Sequence, residues 1–192
     1  MPASDSQSRA SVAAGPADVL ARLREDFVWA TQYTLFSGIG GSIWTPRVLR
    51  RLIYTWAGAR MASSPGGKFT FAGKARNLTV GSGVYMNLGV FIEATAPVTI
   101  GEESALGMEV MVLTSHHPLD EHGRWQKDAA GKPVVIGDRV WIGARTVILP
   151  GAVIENDVVI AAGAIVTGHC LAHSVYAGVP AKRIREFAPV PD

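Results

Sequence analysis

A mainly β fold is predicted for this 192-residue chain: a three-sided coil of short parallel strands behind a helical N-terminal segment. Three observations carry that reading. Every sixth residue from Ile136 gives Ile136, Ile142, Ile148, Ile154, Ile160 and Val166, an unbroken row of β-branched aliphatics. The residue two before each of the last five is Val140, Thr146, Ala152, Val158 or Ala164, small or β-branched every time. Glycine is frequent, at 21 residues, while charged residues are only 18%. That balance fits an apolar, turn-rich fold and excludes a disordered or collagen-like chain.

The period of six matches neither an α-helix nor a long alternating strand. Short strands joined by tight turns explain it, with three hexads closing one triangular coil. The aliphatic points into a narrow core, the small residue packs beside it, and Gly or Asn/Asp takes the tight turn. Coils stack at strand spacing, about 4.8 Å. The same period appears earlier as Ile100, Leu106 and Val112, and as Val80, Met86 and Ile92 two residues out of phase. The slip near Pro97 and the interruption at 113–135 are where a regular prism must break, and function concentrates at such breaks.

Ahead of the repeats, residues 1–15 read as a flexible N-terminus and 16–62 as a helical segment. Asp18 is a candidate helix start, with Val19, Leu20, Leu23 and Phe27 on one face. A second helix from Pro46 to Arg60 aligns Leu49, Leu52, Ile53 and Trp56 as an apolar stripe expected to pack on the body. Arg47, Arg50 and Arg51 lie off that stripe, where solvent receives them. A basic amphipathic helix of this kind also fits peripheral contact of 46–60 with an anionic membrane. The coil is expected over 63–180, and 181–192 as a short C-terminal helix and tail.

Composition narrows the function. With 18 Lys and Arg against 16 Asp and Glu, the formal charge is +2, which is no nucleic-acid footprint. A single cysteine, Cys170, forms no internal disulfide and reads as a packed thiol in a reducing compartment. The first residues lack the basic start and apolar run of a signal peptide. Phe27 to Pro46 carries no charge, yet its Thr, Gln, Ser and Gly content argues against a membrane span. A cytoplasmic protein is therefore expected.

The segments YMNLGVFIEATAPVTIG, MVLTSHHPLD, VVIGDRVWIGARTVILPGAVIENDVVIAAGAIVTG and AGVPAKRIRE, in this order, cover roughly residues 77–187. In that arrangement the chain resembles the hexapeptide-repeat acyltransferases, closest to the galactoside and maltose O-acetyltransferase type. The resemblance implies a left-handed parallel β-helix, acetyl-CoA as co-substrate, no required metal, and a homotrimer with active sites at subunit interfaces. A lone prism would also leave flat apolar faces unburied.

Residue by residue, the resemblance implies that His117, in Ser115-His116-His117-Pro118, is the catalytic base. A sugar hydroxyl is a poor nucleophile at neutral pH, and an imidazole near its own pKa can take its proton during attack on the thioester. No acyl-enzyme is needed. Asn87 matches a residue that contacts the acceptor, since an amide both donates to and accepts from a hydroxyl. Tyr85 matches a pocket tyrosine. The acceptor Asp of the galactoside type falls on Thr95, with Glu93 nearby as a substitute. Trp125 in the extruded loop offers a ring face to a sugar.

For the acetyl-CoA arm, register implies Trp141, Ala144, Ala162, Thr167 and Gly168, with the Ala144 amide toward the oxyanion. Lys182 and Arg185 match basic residues that meet CoA phosphates. Lys182 stands where the galactoside type has arginine, keeping charge without the bidentate fork. Gly168 stands where a lysine is common. Three alternatives stay open: acetylation of an antibiotic or amine, a carbonic-anhydrase-like zinc site using His117 and His122, and a non-enzymatic scaffold.

Overall fold

Six-residue spacing becomes three stacked parallel sheets in the computed structural model, which describes residues 16–127 and 130–188. The expected flexible stretch 1–15 and the last four residues of the tail lie outside the described residues. The first face stacks Arg60–Met61, Leu78–Val80, Val98–Ile100, Val134–Ile136, Val153–Ile154 and His169–Cys170. On the second lie Tyr85–Met86, Ala105–Leu106, Trp141–Ile142, Val159–Ile160 and Ser174–Ala177. Thr70–Gly73, Phe91–Ala94, Met111–Val112, Val147–Ile148 and Ile165–Val166 make the third. This is the left-handed parallel β-helix of the resemblance.

Register explains the core. Val80, Ile100, Ile136, Ile154 and Cys170 are consecutive rungs on the first face, and all point inward. Met86, Leu106, Ile142, Ile160 and Tyr176 do the same on the second. Each strand contributes one side chain to each ladder, so a six-residue period in sequence is one aliphatic per face in space. The small residues two positions earlier are buried beside them: Val140, Thr146, Ala152, Val158 and Ala164. Burial of the Cys170 thiol in its ladder pushes it up to about 11, as a packed thiol requires.

Tight turns place a left-handed residue three before many of the inward aliphatics, above all on the second and third faces. Gly83, Gly89, Gly151 and Gly163 take that position, but so do Glu103, Glu109, Arg139, Arg145 and Asp157. A non-Gly residue there costs about 1 kcal/mol. Stacking of these turns brings opposite charges together: Arg139 Nε lies 2.7 Å from Asp157, and Arg145 Nε 2.7 Å from Glu109.

Two expectations change. Residues 182–186 form a strand, Lys182–Glu186, antiparallel to Ser174–Ala177, and not the expected C-terminal helix. The last coil leaves a free sheet edge whose N–H and C=O groups need partners, and the turn at Gly178 (φ 93°) returns the chain to supply them. The second correction concerns α2 (Arg47–Trp56): of the stripe expected to pack on the body, only Ile53 packs against the core.

Arg50 and Tyr54 are buried, while Leu49, Leu52 and Trp56 are exposed. Arg50 donates to the carbonyls of Thr45 (2.8 Å), Ile43 (3.2 Å) and Pro65 (3.3 Å). Tyr54 packs on the rings of Phe36, Phe69 and Phe71 and donates to the Phe36 carbonyl at 2.7 Å. A guanidinium with three carbonyl partners is satisfied inside, so counting apolar residues picked the outer stripe.

The first helix, α1 (Pro16–Tyr33), belongs to a unit that divides from the rest after Gln32. Its Val19, Leu20, Leu23 and Phe27 are exposed; the side chain of Asp18 lies outside the described residues. Among the described residues no helix is long and apolar enough to cross a membrane.

Candidate active site

The interruption after Val112 is a hairpin. Ser115–His116 pairs antiparallel with Ala130–Gly131, Leu119 bridges Trp125, and Asp120 Oδ1 caps the tip by accepting from the amides of His122 (2.9 Å) and Arg124 (2.8 Å). Within it the exposed imidazole of His117 is held from two sides. Its Nδ1 lies 2.9 Å from the Gln126 carbonyl, and its ring meets Trp125 edge to face at 5.5 Å. A carbonyl oxygen only accepts, so Nδ1 carries the hydrogen and Nε2 presents a lone pair. Trp125 therefore helps to position the imidazole while remaining 63% exposed. The neighbouring His116 differs: its Nδ1 is buried and has no hydrogen-bond partner among the described residues.

Glu93 anchors the base of the hairpin. Its carboxylate accepts from the amides of Thr95 (2.8 Å), Thr114 (2.9 Å) and Ser115 (2.8 Å), and from the Thr114 hydroxyl (3.0 Å). Burial raises its pKa, yet those hydrogen bonds outweigh burial and hold the carboxyl at about 2. These bonds tie Glu93 to the corner where the repeat slips phase, so its carboxylate anchors the base of the loop.

The remaining residues fall on two edges of the prism. Asn87, Ala144 and Ala162 lie where the second face turns into the third, one coil above another; a Cβ added at Gly107 would meet the Ala144 amide, and one at Gly143 the Ala162 amide. The Ala144 carbonyl accepts from Gly163 at 2.9 Å, while its own N–H donates to no group among the described residues. Asn87 uses its Oδ1 on the Leu88 amide (2.8 Å), which leaves its NH₂ group for another partner. His117, Thr95, Thr167 and Gly168 lie on the other edge, where the third face turns into the first. Along the chain, the third face lies between the edge of Asn87 and Ala144 and the edge from which the His117 hairpin leaves.

Outward-facing residues on the second face complete the set. Tyr85, Ala105, Trp141, Val159, Val175 and Arg185 are successive rungs of one ladder, and Lys182 sits on the same added strand. Arg183 takes Glu186 at 3.3 Å, so Lys182 and Arg185 have no acidic partner among the described residues. Tyr85 lines a cleft of about 300 Å³ with Arg47, Ser63, Ser64 and Gly66. No group of three His, Cys, Asp or Glu able to hold a metal gathers among the described residues.

Comparison with known proteins follows the geometry. Residues 133–168 match the family described as bacterial transferase hexapeptide (six repeats). Nodulation protein L of Rhizobium leguminosarum bv. viciae is 34% identical over 134 residues, covering 70% of this chain and 68% of that protein. The chain belongs to the bacterial hexapeptide transferase family. Galactoside O-acetyltransferase of Escherichia coli K12 is 36% identical over 111 residues, 58% of this hexapeptide transferase and 55% of the relative. The chain therefore spans a little over half the length of that relative. Galactoside acetyltransferase solved in complex with coenzyme A superimposes with a TM-score of 0.68 at 27% identity, covering 85% of this chain and 82% of that one.

Two contributors to the site of this hexapeptide transferase escaped sequence reasoning. The Gln126 carbonyl is backbone, and no residue type announces it. Arg47 reaches the Tyr85 cleft from a helix that precedes the repeats, and its sequence context marked only an amphipathic helix.

Proposed function

We propose that this transferase moves an acetyl group from acetyl-CoA to a saccharide hydroxyl, with His117 as general base, in a homotrimer whose sites form between neighbouring chains. The observation that carries the reading is the Gln126 carbonyl on Nδ1 of His117. It fixes the tautomer whose Nε2 accepts a proton, as direct acyl transfer demands. The names of the E. coli relative and of the coenzyme A complex support the donor and the acceptor class.

The chemistry is a single displacement. Nε2 of His117 takes the acceptor's hydroxyl proton while the oxygen attacks the thioester carbonyl. The unpaired amide of Ala144 faces the edge where negative charge develops on that carbonyl oxygen, worth about 3 kcal/mol when such a donor is well aimed. As the carbon–sulfur bond breaks, the imidazolium returns its proton to the departing thiolate. Asn87 orients the acceptor through its free NH₂ group, and Tyr85 and Arg47 line its cleft. Trp141 lies along the acetyl-CoA arm with Ala162, Thr167 and Gly168, while Lys182 and Arg185 supply unpaired cations for phosphate.

Separation of the two edges supports the trimer. An imidazole on one edge and an amide donor on another cooperate only if a second copy brings them together. The decisive experiment mixes two inactive chains, His117→Ala and Asn87→Ala, after partial denaturation and reassembly. Recovery of thiol release from acetyl-CoA with a sugar acceptor is expected, because mixed trimers contain sites with both native residues. No recovery would overturn the shared site. Turnover only with antibiotics or amines would overturn the saccharide.

A further inference from the structure

We infer that the outer face of α2, with the turn before it, docks on an anionic lipid bilayer. Two independent observations meet there. The first is on α2: with Arg50 and Tyr54 turned inward, Leu49, Leu52 and Trp56 face solvent, and Trp56 is 87% exposed. Ile43 and Trp44, in the turn just before the helix, are exposed as well, with Trp44 at 89%. Exposed tryptophans on either side of the leucines along the chain suit the boundary between headgroups and acyl chains.

Charge is the second. From Phe27 to Ile92 the sequence holds seven Lys and Arg and no Asp or Glu. None of those seven makes an ion pair among the described residues. All the acids lie outside this segment, so the segment is strongly cationic. Arg50 is buried, but Arg47 and Arg60 are exposed at the start of α2 and just beyond its end. An apolar protein partner would leave those cations without counter-charge, whereas an anionic bilayer takes both the band and the charge.

Vesicle co-sedimentation of the full chain tests it, using phosphatidylcholine with and without phosphatidylglycerol. Pelleting with the anionic vesicles is expected, with at least tenfold weaker binding at high salt and for Arg47→Glu/Arg60→Glu. Leu52→Ser/Trp56→Ser, at exposed positions, is expected to lower binding at least tenfold with an unchanged circular dichroism spectrum. Brominated acyl chains read the contact without altering charge: they quench wild-type tryptophan emission, and Trp44→Phe/Trp56→Phe removes that quenching. Equal pelleting with neutral vesicles, or unchanged binding of the charge or apolar variants, overturns the inference. So does a sedimentation-velocity result in which Leu52→Ser/Trp56→Ser splits the oligomer but still binds vesicles, since a second copy would then cover the face.

Discussion

Coils from Val134 to Val166 and the hairpin that interrupts them between Val112 and Val134 are built by opposite rules. In the coils, position is set by apolar stacking, and Ile136, Ile142, Ile148, Ile154 and Ile160 are all at most 1% exposed. In the hairpin, position is set by polar contacts: Glu93 on three amides, Asp120 on two, and His117 on a carbonyl. Hydrophobic ladders tolerate almost no change in volume but make few demands on chemistry. A hydrogen-bonded hairpin makes the reverse bargain and can present an exposed imidazole at a fixed angle. Rigidity is housed in one region and the proposed base in the other.

Breaking the hairpin's chemistry without its fold gives the largest effect. His117→Ala is expected to lower acetyl transfer about 10²–10⁴-fold, with an unchanged circular dichroism spectrum; initial rates of thiol release measure it, and less than a tenfold loss contradicts the role. On the other side of the comparison, Ile148→Ala opens a cavity in the third ladder. It should cost about 2–5 kcal/mol of stability by denaturant titration, while a fraction that remains folded keeps its turnover number.

Glu93→Gln sharpens the boundary between the two regions. The carboxyl sits at about 2 in the folded chain against an ordinary 4.5. Its stabilisation is therefore complete above pH 4.5 and lost as pH falls from there through 2. The variant should lose about 1 kcal/mol at neutral pH, allowing for solvent screening, and its stability should fall less steeply across that acid window. Thermal midpoints measured from pH 2 to 6 would read it. Last is Cys170→Val, a near-isosteric swap within a ladder, expected to change stability by less than about 1.5 kcal/mol. With its thiol pushed up to about 11 by burial, wild-type Cys170 should react with a thiol reagent at pH 8 only as fast as the chain unfolds.

Legibility in the sequence followed the same division. Ladders were readable because one physical requirement, an inward aliphatic at each rung, recurs often enough to show as a period. His117 stood out through its Ser-His-His-Pro setting, and its carbonyl partner did not, because a backbone oxygen has no letter of its own. The anchoring role of Glu93 was hidden for a related reason: a carboxylate near an acceptor site and one anchoring three amides look alike in one dimension. The α2 stripe failed because Arg50 reads as a solvent residue until three carbonyls are found around it. Lys182–Glu186 failed because the free edge that recruits it exists only after the coil is stacked.

That last strand also limits what the molecule can become. A solenoid of parallel rungs ends in a naked edge, and a matching edge on another copy could extend it rung upon rung into a fibre. By crossing the second face in the opposite direction, Lys182–Glu186 spends its pairing groups on the chain's own last rung and offers newcomers an outermost row with four charged side chains among its five residues. On that face, end-on growth meets a terminator that the polypeptide carries in its own tail.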